Sequence, residues 1–450
     1  MSALLEQVKN AGIVGCGGAG FPTHIKWNVS NVEHFVINAV ECEPLLHTDK
    51  YLIRHFAGDI VAACEKVAEH LNAKETIIVI KKNYTAEVKA LEQAIDETNS
   101  TVTLCKVKSF YPAGDEHVAV YEATGKQVPY GGIPIDVGAV VSNVATMYET
   151  YRALENIPFI RKHLTVAGEV NRPSIIEVPI GTSIEECLTL AGGVTTTDCF
   201  ILSGGPMMGK VIPFEEIKNQ SVTKTTSGLL VFKKNTYLDK YKSELDLRQL
   251  QKRAATSCIQ CSFCTMMCPR HLLGHPLEPH RIMRTLGYNN SVADLVENSE
   301  VVKMAALCSL CGVCTTYACP MGLAPNKVNQ LLKTELAMRG IRSDKGQCRE
   351  IEEVRDFRKI PTSRLISRLA IAKYDGKVKD TCLTLTPSKV RIAFSHGAGA
   401  PSEPVVQLGD TVLQGDLIAK IPDGKLGANI HASISGKITE LSNAITIIGG

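Results

Sequence analysis

Eight cysteines in two short runs are the residues of this sequence best suited to do chemistry. The first run reads C-x-x-C-x-x-C-x-x-x-C-P, and the second reads C-x-x-C-x-x-C-x-x-x-x-C-P. Three thiolates at three-residue steps can wrap one cube of iron and sulfide, while a fourth, placed before a proline, reaches a neighbouring cube. The spacing therefore predicts two [4Fe-4S] clusters. Their ligands are Cys258, Cys261, Cys264, Cys268, Cys308, Cys311, Cys314 and Cys319.

The last cysteine of each run is expected to bind the cluster of the other run. This crossing is typical of bacterial two-cluster patterns, so we assign Cys268 to the second cluster and Cys319 to the first. The second run has one residue more before its last cysteine. Zinc and disulfides are the alternatives, but structural zinc normally uses separated C-x-x-C pairs, and disulfides belong to oxidising compartments. A doubled eight-cysteine pattern favours iron-sulfur over both.

The composition is that of a globular protein with several domains. Of 450 residues, 44% are hydrophobic and 21% are charged, and about three or four domains are expected at this length. The net charge of +3 comes without basic clusters, so we expect no nucleic acid partner. No apolar run approaches the ~20 residues of a membrane helix, and the start, MSALLEQVKN, lacks a basic head. We therefore expect a cytoplasmic protein without a membrane span.

Residues 1–163 are expected to form a Rossmann-like, three-layer α/β domain. Apolar runs at 35–39 and 76–80 predict buried parallel strands, and residues 60–71 and 85–95 have helical spacing. A glycine-rich stretch, 12–20, opens the domain. Because glycine has no Cβ, such a turn lets backbone N–H groups approach a phosphate or a flat ring. By itself the stretch equally suits a tight connection between elements.

Four segments of this domain resemble the flavin-binding motifs of one family. GCGGAGFPTHIKW, 15–27, is similar to the flavin loop of the NADH-oxidising subunit of respiratory complex I. That family includes the C subunit of the Rnf complex and the cobalamin reductases of propanediol-utilising bacteria. NAVECEP (38–44), YPAGDE (111–116) and VVSNVAT (140–146) resemble its acidic loop, its Y-x-x-G-E-E loop and its V-x-N-N-V-E-T turn, in the same order. The resemblance implies a domain that binds FMN.

The resemblance also implies roles for particular residues. The flavin would be held by the backbone of Gly15, Gly17 and Gly18, and its ring and ribityl chain would lie near Lys26 and Asn38. It would be flanked by Tyr111, Gly114, Asp115 and Glu116, and its phosphate would be held by Asn143 and Thr146. Glu41 and Glu43 would face NADH, the implied donor. Because Val40 stands where the complex I pattern has aspartate, two solvated loop carboxylates are an equal alternative.

Two further domains are expected in the middle of the chain. Residues 164–232 combine alternating β segments with a capping box at Ser183 and Glu186, which predicts a β-grasp domain. It resembles the soluble-ligand-binding β-grasp domain of the same families, which has been linked with cobalamin; a spacer between flavin and clusters is the alternative. Residues 245–340 are expected to form an α-helical, two-cluster ferredoxin domain. Its His271, His275 and His280 are interpreted as solvated or capping histidines.

The remaining residues are expected to form a linker and a small all-β domain. Residues 341–388 are polar apart from one short helix near 363–372, which is typical of a linker. Residues 389–450 resemble the barrel-sandwich fold of biotinyl and lipoyl carriers. Neither an E-x-M-K-M nor a D-K-A hairpin occurs, so we expect no covalent lipoate or biotin, and a role in assembly or docking.

A flavin and paired clusters in one chain indicate electron transfer. A nicotinamide donates two electrons at once and clusters pass one at a time, so a flavin between them separates the pair. The segment order most resembles the cobalamin reductases, because the barrel-sandwich segment precedes the flavin domain in the Rnf protein. The resemblance implies an NADH-dependent enzyme that reduces cob(III)alamin and cob(II)alamin for adenosylcobalamin recycling in propanediol utilisation.

The same resemblance implies a location and partners. The protein would lie inside a bacterial microcompartment, with an adenosyltransferase and shell proteins as partners. The alternative is an Rnf-like relay protein that delivers electrons to a partner protein without binding cobalamin. A third interpretation, a scaffold without redox chemistry, would leave the eight cluster thiolates without a role.

Overall fold

Four parallel strands form the sheet of the first domain. The computed structural model describes residues 2–243, 246–288 and 292–449, and the sheet order is β3-β2-β1-β5. The strands of this domain are β1 His34–Ala39, β2 Glu75–Lys81, β3 Thr103–Val107, β4 Phe110–Tyr111 and β5 Ala139–Asn143. Its helices are α1 Ala3–Asn10, α2 Thr23–Lys26, α3 Thr48–Leu71, α4 Thr85–Thr98, α5 Glu116–Thr124, α6 Val144–Leu154 and a 3-10 turn at Pro134–Val137.

The strand order places a ligand crevice between β1 and β5. Ligands of open parallel sheets bind outside the carboxyl ends of the strands, at the point where the strand order reverses. The register pairs Asn38 with Asn143 at this point. The strands expected at 35–39 and 76–80 are confirmed. Only the second half of α3 was predicted, because a break in helical geometry at Phe56 (φ −136°) interrupts the spacing of its first half.

The second domain is a six-stranded sheet with one main helix. Its order is β12-β7-β6-β10-β8-β9, in which β12, Lys379–Thr384, comes from a later part of the chain. The elements are β6 Arg161–Gly168, β7 Ser174–Pro179, α7 Ile184–Leu190, β8 Cys199–Ser203, β9 Lys210–Pro213, a 3-10 turn at Phe214–Glu216 and β10 Gly228–Lys233. The capping box is confirmed, because the Ser183 hydroxyl accepts from the Glu186 N–H and the Glu186 carboxylate from the Ser183 N–H.

Short helices surround the two cysteine runs. They are α8 Tyr237–Lys242, α9 Leu247–Ser257, α10 Phe263–Met266, α11 Pro269–Leu272, α12 Pro279–Gly287, α13 Val292–Asn298, α14 Glu300–Lys303, a 3-10 turn at Met304–Leu307, a π-helical turn at Cys314–Ala318 and α15 Pro325–Met338. The predicted α-helical character is confirmed. Of the domain expected at 245–340, residues 245 and 289–291 lie outside the described part of the chain.

The segment expected as a linker adds strands to two sheets. It holds α16 Arg355–Arg358, β11 Ile360–Pro361, α17 Thr362–Arg368, a 3-10 turn at Ala372–Tyr374 and β12 Lys379–Thr384. β11 pairs with β4, and β12 forms the parallel edge beside β7. The sequence did not indicate β12, because an exposed edge strand shows little hydrophobic alternation. The exact domain limits stay predictions.

Two small antiparallel sheets complete the fold. Their orders are β13-β19-β18-β15 and β14-β16-β17. The strands are β13 Lys389–Ala393, β14 Glu403–Pro404, β15 Thr411–Val412, β16 Leu417–Lys420, β17 Ile430–His431, β18 Gly436–Leu441 and β19 Ala444–Ile448. Among the described residues, no helix combines the length and the apolar character needed to cross a membrane.

Candidate functional site

The glycine-rich loop has an open side and a packed side. It is closed by a bond from the Gly15 N–H to the Phe21 carbonyl at 2.9 Å. A Cβ on Gly17 would lie 3.4 Å from the Asn143 Cβ, whereas a Cβ on Gly18, where φ is +114°, would have no heavy atom within 4 Å. The open side exposes backbone without side chains, which is the kind of cradle that suits a flat, phosphate-bearing group such as FMN.

The expected phosphate-binding residues hold this loop against α6. The Cys16 N–H donates to Thr146 Oγ1 at 2.9 Å. The Asn143 side chain donates to Asp49 Oδ2 at 2.8 Å and caps α6 by accepting from the Ala145 N–H. Both residues therefore lie at the glycine-rich loop. Their contact with a flavin phosphate stays a prediction.

The C-terminal domain also contacts the glycine-rich loop. The Ala398 N–H donates to the Ala19 carbonyl at 3.1 Å, and a Cβ on Gly20 would come within 2.6 Å of the Gly397 Cα. Gly20 itself has φ +64°, so both the close approach and the left-handed backbone require glycine at this position. The loop is thus clamped between α6 and the C-terminal domain, which keeps its open side in place.

The loop 111–116 packs against the carboxyl end of β1. Asn38 donates from Nδ2 to the Gly114 carbonyl at 2.9 Å. Lys26 Nζ lies 2.7 Å from Glu116 Oε1. The structure therefore brings these four predicted flavin-site residues together. The cation expected beside the flavin is neutralised in part by Glu116.

The carboxylate of Glu41 lies at the start of α3. Its carboxylate accepts from the N–H groups of Asp49 and Lys50 at 3.2 and 3.3 Å. Burial, followed by the charge of Asp49, raises the pKa of Glu41 to about 7. A carboxylate with a pKa near neutrality next to a ligand crevice has the properties of a functional group. Its predicted contact with NADH stays a prediction.

Glu43 reaches the turn between β8 and β9. Its carboxylate accepts from the N–H groups of Met207 and Met208, both at 2.9 Å. Gly205 makes this contact possible, because a Cβ there would overlap the Glu43 side chain. Neither Glu41 nor Glu43 is a solvated loop carboxylate, since each is held by two backbone donors. Glu43 ties the acidic loop to the β-grasp domain.

Lys81 and Tyr84 belong to this region, and the sequence analysis did not identify them. Lys81 ends β2 and is only 1% exposed. Its ammonium donates to the Glu41 carbonyl at 3.4 Å, and the Tyr84 hydroxyl donates to the same oxygen at 3.2 Å. Burial lowers the pKa of Lys81 to about 8. The available signal was a lysine at the carboxyl end of an otherwise apolar strand.

The loop 111–116 contacts the cysteine runs directly. The buried Tyr111 hydroxyl donates to the Cys311 carbonyl at 2.8 Å. The Asp115 carboxylate pairs with Arg270, two residues after Cys268, at 2.9 Å. Burial opposes ionisation of Asp115, but Arg270 holds the pKa of this carboxyl below its usual value. The predicted flavin site and the predicted cluster site are therefore joined by buried polar contacts.

Two buried histidines lie at the same junction. His117 Nδ1 and His275 Nε2 are 3.4 Å apart. Burial, then the charge of Arg270, lowers their pKa values to about 3 and about 4 respectively, so both rings are neutral near pH 7. The expectation that His275 is solvated or capping was wrong, because it is only 2% exposed. Its sequence neighbours gave no indication of the partner on α5.

The two cysteine runs share one backbone pattern. Left-handed residues occur at Gln260 (φ +54°) and Ser262 (φ +62°) in the first run. They recur at the equivalent positions Leu310 (φ +60°) and Gly312 (φ +79°) in the second. Such residues are uncommon outside glycine. Their repetition shows that each run bends in the same way around its three thiols.

The crossing of the last cysteines agrees with the arrangement of the thiols. Burial raises the pKa of the Cys264 thiol to about 12, and the nearby thiols of Cys319, Cys258 and Cys261 raise it further. Burial likewise raises the pKa of the Cys311 thiol, and the nearby Cys268 thiol raises it further. Among the described residues, no group of His, Cys, Asp or Glu converges closely enough to hold a single metal ion. The eight thiols therefore lie near one another, as the predicted crossing requires, and their division into two sets of four stays a prediction.

The extra residue of the second run is accommodated by a π-helical turn. Residues Cys314–Ala318 form this turn, whereas the first run has the ordinary helix α10 at the same place. A single π-turn inserts one residue into a helix, and such turns are frequent at functional sites. Cys268 and Cys319 then adopt the same extended geometry before proline, with φ −72° and −77°. The two runs are therefore equivalent in spite of their different spacing.

Four family profiles match the chain. The Nuo51 FMN-binding domain matches residues 8–152 and the SLBB domain matches 164–211. The 4Fe-4S dicluster domain matches 257–324 and the RnfC barrel sandwich hybrid domain matches 372–449. The predicted fold class and the predicted FMN and [4Fe-4S] cofactors are thereby confirmed.

Three relatives extend the comparison. Two proteins named cobalamin reductase PduS, from Citrobacter freundii and Salmonella typhimurium, are each 37% identical over 99% of this chain and 96% of their own length. The third is the C component of the proton-translocating ferredoxin:NAD(+) oxidoreductase complex of Clostridium ljungdahlii. It is 34% identical over 60% of this chain and 56% of its own length.

The fold also resembles that of a solved structure. The crystal structure of an NAD+-reducing [NiFe]-hydrogenase in the H2-reduced state aligns with a TM-score of 0.50 and 21% identity. The alignment covers 74% of this chain and 62% of the hydrogenase chain, which is less than two thirds of the latter. At this identity the likeness concerns the fold alone. On the two full-length relatives and the four domain matches, the chain belongs to the RnfC/PduS family of FMN- and iron-sulfur-containing oxidoreductases.

Proposed function

We propose that this chain passes electrons from NADH to cobalamin. The support is that its two full-length relatives carry the name cobalamin reductase and that its domains include one for FMN and one for two clusters. Bound FMN would take two electrons from NADH and release them singly to the clusters. The balance is one NADH and two cob(III)alamin giving NAD+, one proton and two cob(II)alamin.

The observation that carries this proposal is the contact between the loop 111–116 and both cysteine runs. Tyr111 donates to the Cys311 carbonyl, and Asp115 pairs with Arg270. These buried contacts join the predicted flavin site to the predicted cluster site. Electrons would therefore enter the cluster set that contains Cys311 before they reach the set that contains Cys319.

The glycine-rich loop and its surroundings would hold FMN. Backbone of Gly15, Gly17 and Gly18 would contact the flavin, and Asn143 and Thr146 would contact its phosphate. Lys26 and Asn38 would orient the ring and the ribityl chain. Glu41, whose pKa is raised to about 7, would contact the nicotinamide nucleotide and hold or release a proton near neutral pH.

We further propose the setting that the PduS resemblance implies. The chain would work inside a bacterial microcompartment and support adenosylcobalamin recycling. An adenosyltransferase would be its partner, since the cobalt, once a second electron from this chain has reduced it to cob(I)alamin, must be alkylated by another protein. Shell proteins would enclose both.

The test is an anaerobic assay with the reconstituted protein. NADH is supplied, and conversion of cob(III)alamin is followed by absorbance, with ferricyanide as a second acceptor that reports flavin reduction independently. We expect both acceptors to be reduced. Reduction of ferricyanide but not of cobalamin would refute the proposed acceptor and leave the flavin chemistry intact.

An electron relay that binds no cobalamin is the second candidate. It is favoured by the match to the Clostridium ljungdahlii protein, whose name describes ferredoxin:NAD(+) oxidoreduction. That match covers only 60% of this chain, and here the barrel-sandwich segment follows the dicluster domain. Reduction of added ferredoxin, without any spectral change on adding cobalamin, would favour the relay.

A further inference from the structure

An open cleft lies beside the first cluster set. The helix α17 and the residues around Cys319 line it, and its volume is about 790 Å³. Cys319 itself lines the cleft, and so does Phe263, the neighbour of Cys264. Ligand pockets of proteins commonly have volumes of about 300–1,000 Å³. The cleft is wide open to solvent, so only part of a larger molecule would lie in it, directly beside the predicted cluster ligand Cys319.

The cleft lies beside a predicted ligand of the first cluster. Its helix α17 also lies next to the loop 111–116, because the Thr362 N–H donates to the Ser109 carbonyl at 3.4 Å and β11 pairs with β4. That loop contacts the carbonyl of Cys311, a predicted ligand of the second cluster, whereas Cys319, which lines the cleft, is a predicted ligand of the first. A ligand in the cleft would therefore lie against a cluster and not against the glycine-rich loop. We expect such a ligand to be the acceptor rather than the donor.

The chemistry of the cleft combines apolar surface with positive charge. Phe263 is 45% exposed and lines the cleft together with Tyr317, Arg364 and Arg368. Arg368 is fixed, since its Nε donates to the Thr316 carbonyl at 2.9 Å. Arg364 is exposed and has no hydrogen bond or ion pair within the described ranges. A flat organic surface would be favoured against the aromatic rings, and an attached anion would be favoured beside the arginines.

We propose that this cleft is the binding site of the cobalamin acceptor. The edge of the corrin ring would lie on Phe263 and Tyr317, and the phosphodiester of the nucleotide tail would lie near Arg364. Each electron leaving the chain reduces one Co(III) to Co(II), so one NADH serves two cobalamins in turn. This inference rests on the proposed function, because it assumes cobalamin as the acceptor.

The test uses the reconstituted full chain and three variants. Arg364→Glu reverses the charge in the cleft, and Ser367→Trp fills it from the exposed face of α17. Arg172→Glu, in the turn between β6 and β7, is the matched control, since it makes the same charge change outside the cleft. Binding of hydroxocobalamin is measured by equilibrium dialysis, and NADH-driven reduction of ferricyanide and of cobalamin is measured in parallel.

We expect Arg364→Glu to weaken cobalamin binding about tenfold, because an attractive surface charge becomes repulsive. Ser367→Trp should weaken it at least as much, while Arg172→Glu and all ferricyanide rates stay at the wild-type level. If both cleft variants reduce cobalamin as fast as the wild-type protein does, the cleft assignment is overturned and the proposed function still stands. A wild-type protein that neither binds nor reduces cobalamin, but reduces ferredoxin, would overturn both.

Discussion

Removing Arg270 should loosen the junction between the loop 111–116 and the cysteine runs. Its guanidinium lies 2.9 Å from the Asp115 carboxylate, and the two side chains are 12% and 10% exposed. Two unit charges about 4 Å apart gain about 4 kcal/mol at an effective dielectric constant of 20. Arg270→Met leaves the carboxylate buried without its partner, and breaking such pairs costs about 3–5 kcal/mol. We therefore expect the opening free energy of the junction to fall by about 3 kcal/mol.

The assay is hydrogen exchange followed by mass spectrometry on peptides that cover α5 and α11. A loss of about 3 kcal/mol corresponds to exchange that is roughly a hundredfold faster. Asp115→Asn combined with Arg270→Met should recover part of the protection, because no unpaired charge remains and asparagine still caps α5.

Arg281 offers a matched control for this prediction. Its ion pair with Glu278 has the same 2.9 Å separation, but the arginine is 48% exposed. Arg281→Met should change exchange little, because exposed pairs contribute about 0–1 kcal/mol. Equal effects of Arg270→Met and Arg281→Met would refute the reasoning. A double variant that exchanges as fast as Arg270→Met would refute it as well.

Three further predictions concern ligands, the acidic loop and pH. Cys268→Ser and Cys308→Ser should remove one and the same cluster, and Cys261→Ser and Cys319→Ser should remove the other, so that each variant keeps about four irons. Electron paramagnetic resonance spectra of the reduced variants should therefore match within each pair. A spectrum of Cys268→Ser that matches the spectrum of Cys261→Ser would refute the crossing. Glu43→Gln should lower the stability of the β8–β9 turn by about 1 kcal/mol, because the N–H groups of Met207 and Met208 lose their charged acceptor. The expected result is faster proteolysis at this turn. The pKa values of His117 and His275 are lowered to about 3 and about 4 in the folded chain. Below about pH 6.5 the unfolded chain therefore binds more protons than the folded chain does. The free energy of unfolding should be highest above that pH and should be lower by about 2 kcal/mol per histidine at pH 5. His117→Asn should reduce this dependence in urea titrations at pH 5 and pH 7.5, and an unchanged dependence would contradict the assignment.

The parts of the fold with a local signal were predictable from the sequence. The parallel strands β1 and β2 appear as apolar runs, and the capping box at Ser183 marks the start of α7. The cysteine spacing indicated two crossed clusters because the ligands of a cluster come mostly from closely spaced residues. These features depend on neighbours in the chain, so no tertiary information was needed.

The features that the sequence did not reveal depend on contacts between distant residues. Tyr111 and Cys311 are far apart in the chain, and nothing in either segment indicates the other. The same holds for the His117–His275 pair. Strand β12 was not indicated because its pairing with β7 satisfies the backbone while its side chains remain largely exposed.

Glu43 shows how the structure changes the interpretation of a correctly located residue. The sequence placed it in an acidic loop beside the flavin site, and the structure keeps it in that loop. Its carboxylate, however, is bound by the turn of the β-grasp domain. A loop carboxylate that looked like either a ligand contact or a solvated group therefore also has a structural partner.

The central claim is that the flavin site and both clusters form one electron route. The most direct test is an anaerobic titration of the reconstituted protein with NADH, followed by absorbance and electron paramagnetic resonance. We predict that flavin bleaching is accompanied by signals from reduced clusters, and that Cys319→Ser loses only one of the two cluster signals. Bleaching of the flavin without any cluster signal, in protein shown by dithionite to hold reducible clusters, would contradict the account.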